Sequence, residues 1–150
     1  NGGFLLGVKL AKNGRTLAPL ATRDAALPIL ALLAMAKEKN SKLSQLANHL
    51  PARFTASDRI QNFPTETSRS ILQKLGNDLS VINALLSPIN VQASAINLAD
   101  GLRITLKNDE IIHFRPSGNA PELRCYTEAA SQARAKQLTE ASLKLMRSML

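Results

Sequence analysis

The segment spanning residues 100–128, DGLRITLKNDEIIHFRPSGNAPELRCYTE, constrains the fold more than any other part of the chain. Leu102, Ile104 and Leu106 alternate with Arg103 and Thr105, the period of a strand with one buried face. Asn108 and Asp109 are turn residues and EIIHF returns after them, so the two runs form a hairpin. RPSGNAP breaks the pattern a second time and ELRCYTE resumes it as a third strand. A helix from about Ala129 is expected to close the chain, with Leu138, Ala141, Leu145 and Met149 on one stripe and Lys136, Glu140, Lys144 and Arg147 mostly elsewhere. Three strands backed by helices make an α+β domain with an antiparallel sheet.

Upstream, RFTASDRIQNF is a further strand candidate, and short helices are expected around residues 66–75 and 78–86. Pro51 precedes this region and marks the expected boundary between residues 1–50 and 51–150. In the first part, FLLGVKL reads as a strand followed by a turn at Asn13 and Gly14. Thr22 or Asp24 can cap a helix running to about Lys39, where Pro28 near the first turn is tolerated. That helix is apolar all round over residues 25–36, which predicts burial on more than one side. A second helical piece, SKLSQLANHL, ends at Pro51.

The chain has 150 residues, enough for one domain with a core or for a domain plus part of another. Its 19 basic and 11 acidic side chains give a net charge of +8, so anionic partners must be considered. The basic residues are interspersed, with no run of the kind that makes a nucleic-acid-binding tail. Aromatics are 3% of the residues and Trp is absent, which leaves no stacking platform for bases and argues against a nucleic-acid-binding module. A single cysteine, Cys125, excludes an intrachain disulfide and fits a reducing compartment. The longest apolar run is too short to span a bilayer, and a soluble, cytoplasmic protein without a membrane partner is expected. The chain opens on NGGFLLG with no initiating Met, as a piece of something larger would.

The loop between the second and third strands holds the main candidate site. Arg115 and Arg124 bracket the hydroxyl of Ser117, the flexible Gly118 and the amide of Asn119. Gly and Asn tolerate positive φ, so successive N–H groups can point into one concavity that takes an anion, and an arginine at each mouth can close a bidentate fork on phosphate. An ordinary turn with two solvated arginines is the competing reading. His49 and His113 have no partners at metal-ligand spacing, although His113 shares a strand face with Arg115. Cys125 falls on the opposite face from Arg124 and Tyr126, where a packed core thiol is expected.

RPSGNAPELR resembles the phosphate-binding loop of the α-D-phosphohexomutase family, Arg-x-Ser-Gly-Thr-Glu-Pro followed by Arg, and the tail from DGLRITL onward is most similar to its bacterial phosphomannomutase branch. Asn119 and Ala120 stand where Thr and Glu are usual; Asn keeps hydrogen-bonding capacity, and Ala loses a carboxylate. Asn1, Gly2 and Gly3 match the end of the family's Glu-x-Asn-Gly-Gly sugar loop, a possible remnant of it. The resemblance implies that residues 1–50 end the third, sugar-binding α/β domain. Residues 51–150 would form the fourth, with a TATA-binding-protein-like sheet.

It further implies part of an enzyme that interconverts mannose 1-phosphate and mannose 6-phosphate through a bisphosphate intermediate, or does the same with glucose phosphates. In that setting Arg115, Ser117, Gly118, Asn119 and Arg124 would hold the non-reacting phosphate of the hexose phosphate. The family's phosphoserine and its Mg²⁺ site belong to earlier domains. FTASDRI offers Thr55, Ala56 and Ser57, but Asp58 replaces the family's histidine and no Asn-Pro follows, so no catalytic residue, no metal ligand and no activity are expected of this chain without the remaining domains.

Overall fold

The computed structural model describes residues 3–149 and divides after Pro51 into two compact units. In the first, β1 (Phe4–Leu6) pairs antiparallel with β4 (Leu20–Asp24), and β2 (Leu10–Lys12) pairs with β3 (Arg15–Leu17). FLLGVKL is therefore not one strand: β1 covers its first three residues and β2 begins only at its last, Leu10. The β2–β3 turn has positive φ at both Asn13 and Gly14, the geometry that matches the right-handed twist of a two-residue hairpin. Helix α1 (Ala26–Glu38) starts where the Asp24 carboxylate accepts from the N–H groups of Ala26 and Leu27, at 2.7 and 2.8 Å. A short α2 (Leu43–Leu46) follows.

The expected burial of α1 on several sides is not met. Only Ala36 is buried, and Ile29, Leu30, Leu32, Leu33 and Met35 are exposed. Periodicity reports what a helix can bury; the two-stranded pieces and the single turn of α2 in this unit supply no second layer to bury it against.

The second unit is an α+β domain: five antiparallel strands in the order β5-β9-β8-β7-β6, with helices on one face. The strands are β5 (Phe54–Gln61), β6 (Ala93–Asn97), β7 (Leu102–Leu106), β8 (Ile111–Pro116) and β9 (Glu122–Ala129). The helices are α3 (Thr65–Leu75), α4 (Leu79–Leu86) and α5 (Gln132–Arg147). Leu102, Ile104, Leu106, Ile112, Phe114, Leu123 and Cys125 point from the sheet into one core with Phe63, Leu72, Leu75, Ile82, Leu86, Leu138, Leu143 and Met146. The alternation read from the sequence is thus the division between this helix-covered face and an open one.

Three details differ from expectation. The sheet has a strand that the pattern did not announce, β6, joined to β7 with a register shift. Helix α5 begins at Gln132 because β9 continues to Ala129; Ser131 caps it, its hydroxyl accepting from the Arg134 N–H at 3.2 Å. The buried face of α5 comprises Ala135, Leu138, Thr139, Ser142, Leu143 and Met146, so it is rotated from the expected stripe, and Met149 is exposed. Thr127 on β9 donates to Ala135 O at 2.8 Å and meets Thr139 Oγ1 at 2.8 Å, drawing the polar side of α5 inward.

Candidate functional site

Strands β8 and β9 pair so that Arg115 lies directly opposite Arg124 and His113 opposite Tyr126. Side chains alternate across a strand, so with Phe114 and Cys125 in the core, these four residues occupy the open face. The connecting loop is held at both ends. Ser117 N–H donates to Glu122 O at 2.9 Å, Glu122 N–H to Ala120 O at 2.8 Å, and Phe63 N–H to Pro121 O at 2.8 Å. The Thr65 hydroxyl at the start of α3 donates to Ser117 O at 3.4 Å.

Ser117 is buried, and its Oγ accepts from the Asn119 N–H at 3.4 Å, which leaves the hydroxyl proton available to donate elsewhere. Gly118 and Asn119 do not use the positive φ that their residue types allow. A Cβ placed on Gly118 would meet nothing within 4 Å, so neither backbone strain nor crowding inside the protein calls for glycine there. The lack of a side chain keeps the space over the loop open.

The Arg115 guanidinium is anchored by the β6–β7 turn, with Nε 3.0 Å from Asp100 Oδ1. His113 Nε2 lies 2.5 Å from Asp100 O; a carbonyl oxygen only accepts, so Nε2 carries the proton. The turn closes through Gly101 at φ +85°, tight against the backbone of β8. A hollow of about 380 Å³ lies beside the loop, lined among others by Arg69 and Gln73 of α3, Asp100, Gly101, Arg115 and Gly118.

Arg124 lines a different hollow, of about 440 Å³, with Ser57, Asp58, Arg59 and Tyr126. Glu122 stands between two guanidiniums, 3.5 Å from Arg59 and 3.6 Å from Arg124. The two arginines that bracket the loop are therefore cross-strand neighbours serving two hollows. On the other face, burial, with a smaller push from the Asp58 charge, raises the Cys125 thiol to about 12, as expected of a core residue.

Of the candidate sugar-loop residues, Asn1 and Gly2 lie outside the described residues. Gly3 belongs to the first unit, where a Cβ on it would come 2.8 Å from Arg23 Cβ. No group of three His, Cys, Asp or Glu side chains among the described residues is arranged to hold a metal ion. Among the described residues no helix is long and apolar enough to cross a membrane.

Asp100, Thr65 and Arg59 were not singled out by the sequence. Asp100 and Gly101 carry a turn signal, but the partner that the turn would reach is set by the strand order.

Comparison with known proteins agrees with this fold. Residues 38–145 match the C-terminal domain of phosphoglucomutase/phosphomannomutase. A phosphomannomutase of Salmonella muenchen is 46% identical over 153 aligned positions, covering 100% of this chain and 31% of that protein. A phosphomannomutase of Sinorhizobium fredii is 38% identical over 148 positions, covering 99% of this chain and 31% of that protein. The chain thus spans about a third of the length of these relatives, 31% in both cases. With a five-stranded antiparallel sheet backed by helices carrying the loop at its β8–β9 turn, the chain belongs to the phosphoglucomutase/phosphomannomutase family, as a phosphohexomutase C-terminal domain with the stretch that precedes it.

Proposed function

We propose that this chain is the substrate-phosphate-holding part of a phosphomannomutase that interconverts mannose 1-phosphate and mannose 6-phosphate through a bisphosphate intermediate. Residues 1–50 are the end of its third, sugar-binding domain and 51–150 its fourth. Phosphoryl transfer depends on positioning and charge stabilisation, so the phosphate that is not reacting must be held while the other is exchanged. In this reading Arg115 supplies a planar fork, the Ser117 hydroxyl donates a hydrogen bond, and the Gly118 backbone N–H and the Asn119 side-chain amide donate to the same anion, with Arg124 beside them.

The observation that carries the reading is Gly118: a glycine with no internal reason to be one, beside an arginine at the edge of a hollow. A phosphate dianion carries more charge than the Asp100 carboxylate that now engages Arg115, and it can use donors of the loop that Asp100 does not reach. The phosphoserine and the Mg²⁺ of the intact enzyme belong to other domains in this reading, and its compartment is the cytoplasm. Glucose phosphate is the alternative substrate, because a loop that grips phosphate does not by itself distinguish the sugar.

Titration of the ¹⁵N-labelled chain with mannose 6-phosphate is the test. Shifts should concentrate at Ser117 to Asn119 with a dissociation constant in the millimolar range, about 4 kcal/mol, and vanish in the Arg115→Ala, Arg124→Ala double variant. Shifts spread over α5, or persisting in that variant, would refute the reading. The purified chain should show no turnover of mannose 1-phosphate; turnover that mock purification does not explain would place catalytic groups within it.

A further inference from the structure

Strand β5 extends the open face beyond the loop. Its register puts Arg59 opposite Arg124 and Ser57 opposite Tyr126, while Arg124 lies opposite Arg115. Three guanidiniums therefore stand in one row across β5, β9 and β8. The row covers two strand spacings, roughly 10 Å, wider than one phosphate group. It is also divided, since Arg115 lines the hollow beside Gly118 while Arg124 and Arg59 line the other with Ser57, Asp58 and Tyr126.

Like charges this close on a sheet are unfavourable without a counter-ion. Glu122 partly supplies one, but at 3.5 and 3.6 Å it makes an ion pair with each guanidinium and a hydrogen bond with neither. Arg59 and Arg124 thus retain donors, and their side chains are 51% and 41% exposed. Neither the Ser57 nor the Tyr126 hydroxyl makes a hydrogen bond among the described residues; the Tyr126 ring leans on His113 at 6.0 Å. The opposing charges near the hollow are Glu122 and, at its rim, Asp58.

We infer that the open face carries a second anion subsite, formed by Arg59 and Arg124 with the hydroxyls of Ser57 and Tyr126, that takes a phosphate monoester. A tetrahedral dianion accepts from both guanidiniums and both hydroxyls at once, which the planar, singly charged Glu122 does not do. The subsite shares Arg124 with the proposed grip, but it stands on the sheet register and on Arg59, so it holds whether or not the loop is the grip of a mutase. The phosphate can be the second one of a bisphosphorylated hexose or that of a separate molecule; the recognition chemistry is the same.

Amide shifts of the ¹⁵N-labelled 150-residue chain, followed during titration with inorganic phosphate, separate the two subsites. Two groups of shifts are expected: residues 117–119, lost in Arg115→Ala, and residues 57–59 with 124–126, lost in Arg59→Gln. Arg59→Gln should weaken binding at the second group by roughly tenfold or more, as removal of a charged hydrogen-bonding partner does. Glu122→Gln should strengthen it several-fold, because the competing carboxylate is gone; a merely structural Glu122 would not produce that gain.

Glucose 1,6-bisphosphate then identifies the source. One common isotherm tighter than that of inorganic phosphate assigns both subsites to one ligand, and two separate isotherms assign them to two; either outcome supports the subsite. Absence of the second group of shifts up to about 50 mM phosphate, weaker by far than the millimolar range, would overturn the inference. So would its persistence in Arg59→Gln, or weaker binding in Glu122→Gln. An oligonucleotide that perturbs these residues at physiological salt when free phosphate does not would overturn it in favour of a polyanion surface. Absence of the loop shifts from the unsubstituted chain, with the second group present, would refute the proposed function and leave this subsite standing.

Discussion

Gly101→Ala tests whether the β6–β7 turn is a steric requirement of the site. Gly101 has φ +85°, and a Cβ there would fall inside van der Waals contact with Phe114 O and 3.1 Å from Arg115 Cα. Both neighbours are backbone of β8, so no rotamer change relieves the clash. Holding alanine at positive φ costs about 1–2 kcal/mol, and forcing a methyl into a filled space about 1–3 kcal/mol, for a total of about 2–5 kcal/mol. Urea denaturation should show that loss with the m value unchanged, and the melting temperature should fall by at least about 10 °C. Asp100→Ala is the control. It removes the exposed ion pair to Arg115 without adding an atom and should cost less than about 1 kcal/mol. A Gly101→Ala loss below about 0.5 kcal/mol would refute the reasoning, since the turn would then be loose enough to move off β8.

Arg134→Ala should destabilise the domain by about 3 kcal/mol in the same assay, because it strips a bidentate partner at 2.8–3.1 Å from the buried Glu110; the partial exposure of Arg134 places the figure at the lower end for such pairs. The Arg134 hydrogen bonds hold the Glu110 carboxyl below its ordinary value of 4.5. This stabilisation is therefore full above that pH and is lost as pH falls through the lower folded value, so the wild-type advantage over Glu110→Gln should shrink in denaturation curves between pH 5 and the acid limit. Thr127→Val should cost about 1–2 kcal/mol by leaving Ala135 O and the Thr139 hydroxyl a partner short in the core, as read by thermal melts. Cys125, with its thiol raised to about 12 by burial, should react with Ellman's reagent at pH 8 only at the rate of unfolding; immediate reaction would show an open core.

Legibility of the fold followed how one-sided each element is. Strands β7 and β9 alternate strictly between buried and partly exposed residues, and the sequence displays that alternation because helices cover one face only. Strand β6, ASAIN, is an edge strand of small and polar residues apart from Ile96, and only Ala93 in it is buried; its pairing comes from β7, which no local pattern records. In α5 the hydrophobic stripe misled because Thr139 and Ser142 are buried, Thr139 through a hydrogen bond to a threonine of β9. In α1 the all-round apolar surface has no second layer within its own unit. Residue chemistry singled out the loop as a candidate, but which arginine lines which hollow depends on strand order.

That order explains the arginine row as a consequence of packing on the opposite face. β9 occupies the second position of the sheet, between a strand that precedes it by some sixty residues and one that precedes it by a single loop, so Arg59 and Arg115 flank Arg124 although they lie 56 positions apart in the chain. Its register is pinned from below: Leu123 and Cys125 are fully buried, and a slip of one residue would carry both to the open face and drive Arg124 into the core. An arginine cannot be buried there without a partner, so the core enforces Arg124 outward, and the antiparallel ladder then sets Arg59 and Arg115 on either side of it. The positions of the three arginines are thus set by apolar residues on the opposite face of the sheet. Substitutions at Leu123 or Cys125 that disturb the register should scatter the row before they unfold the sheet.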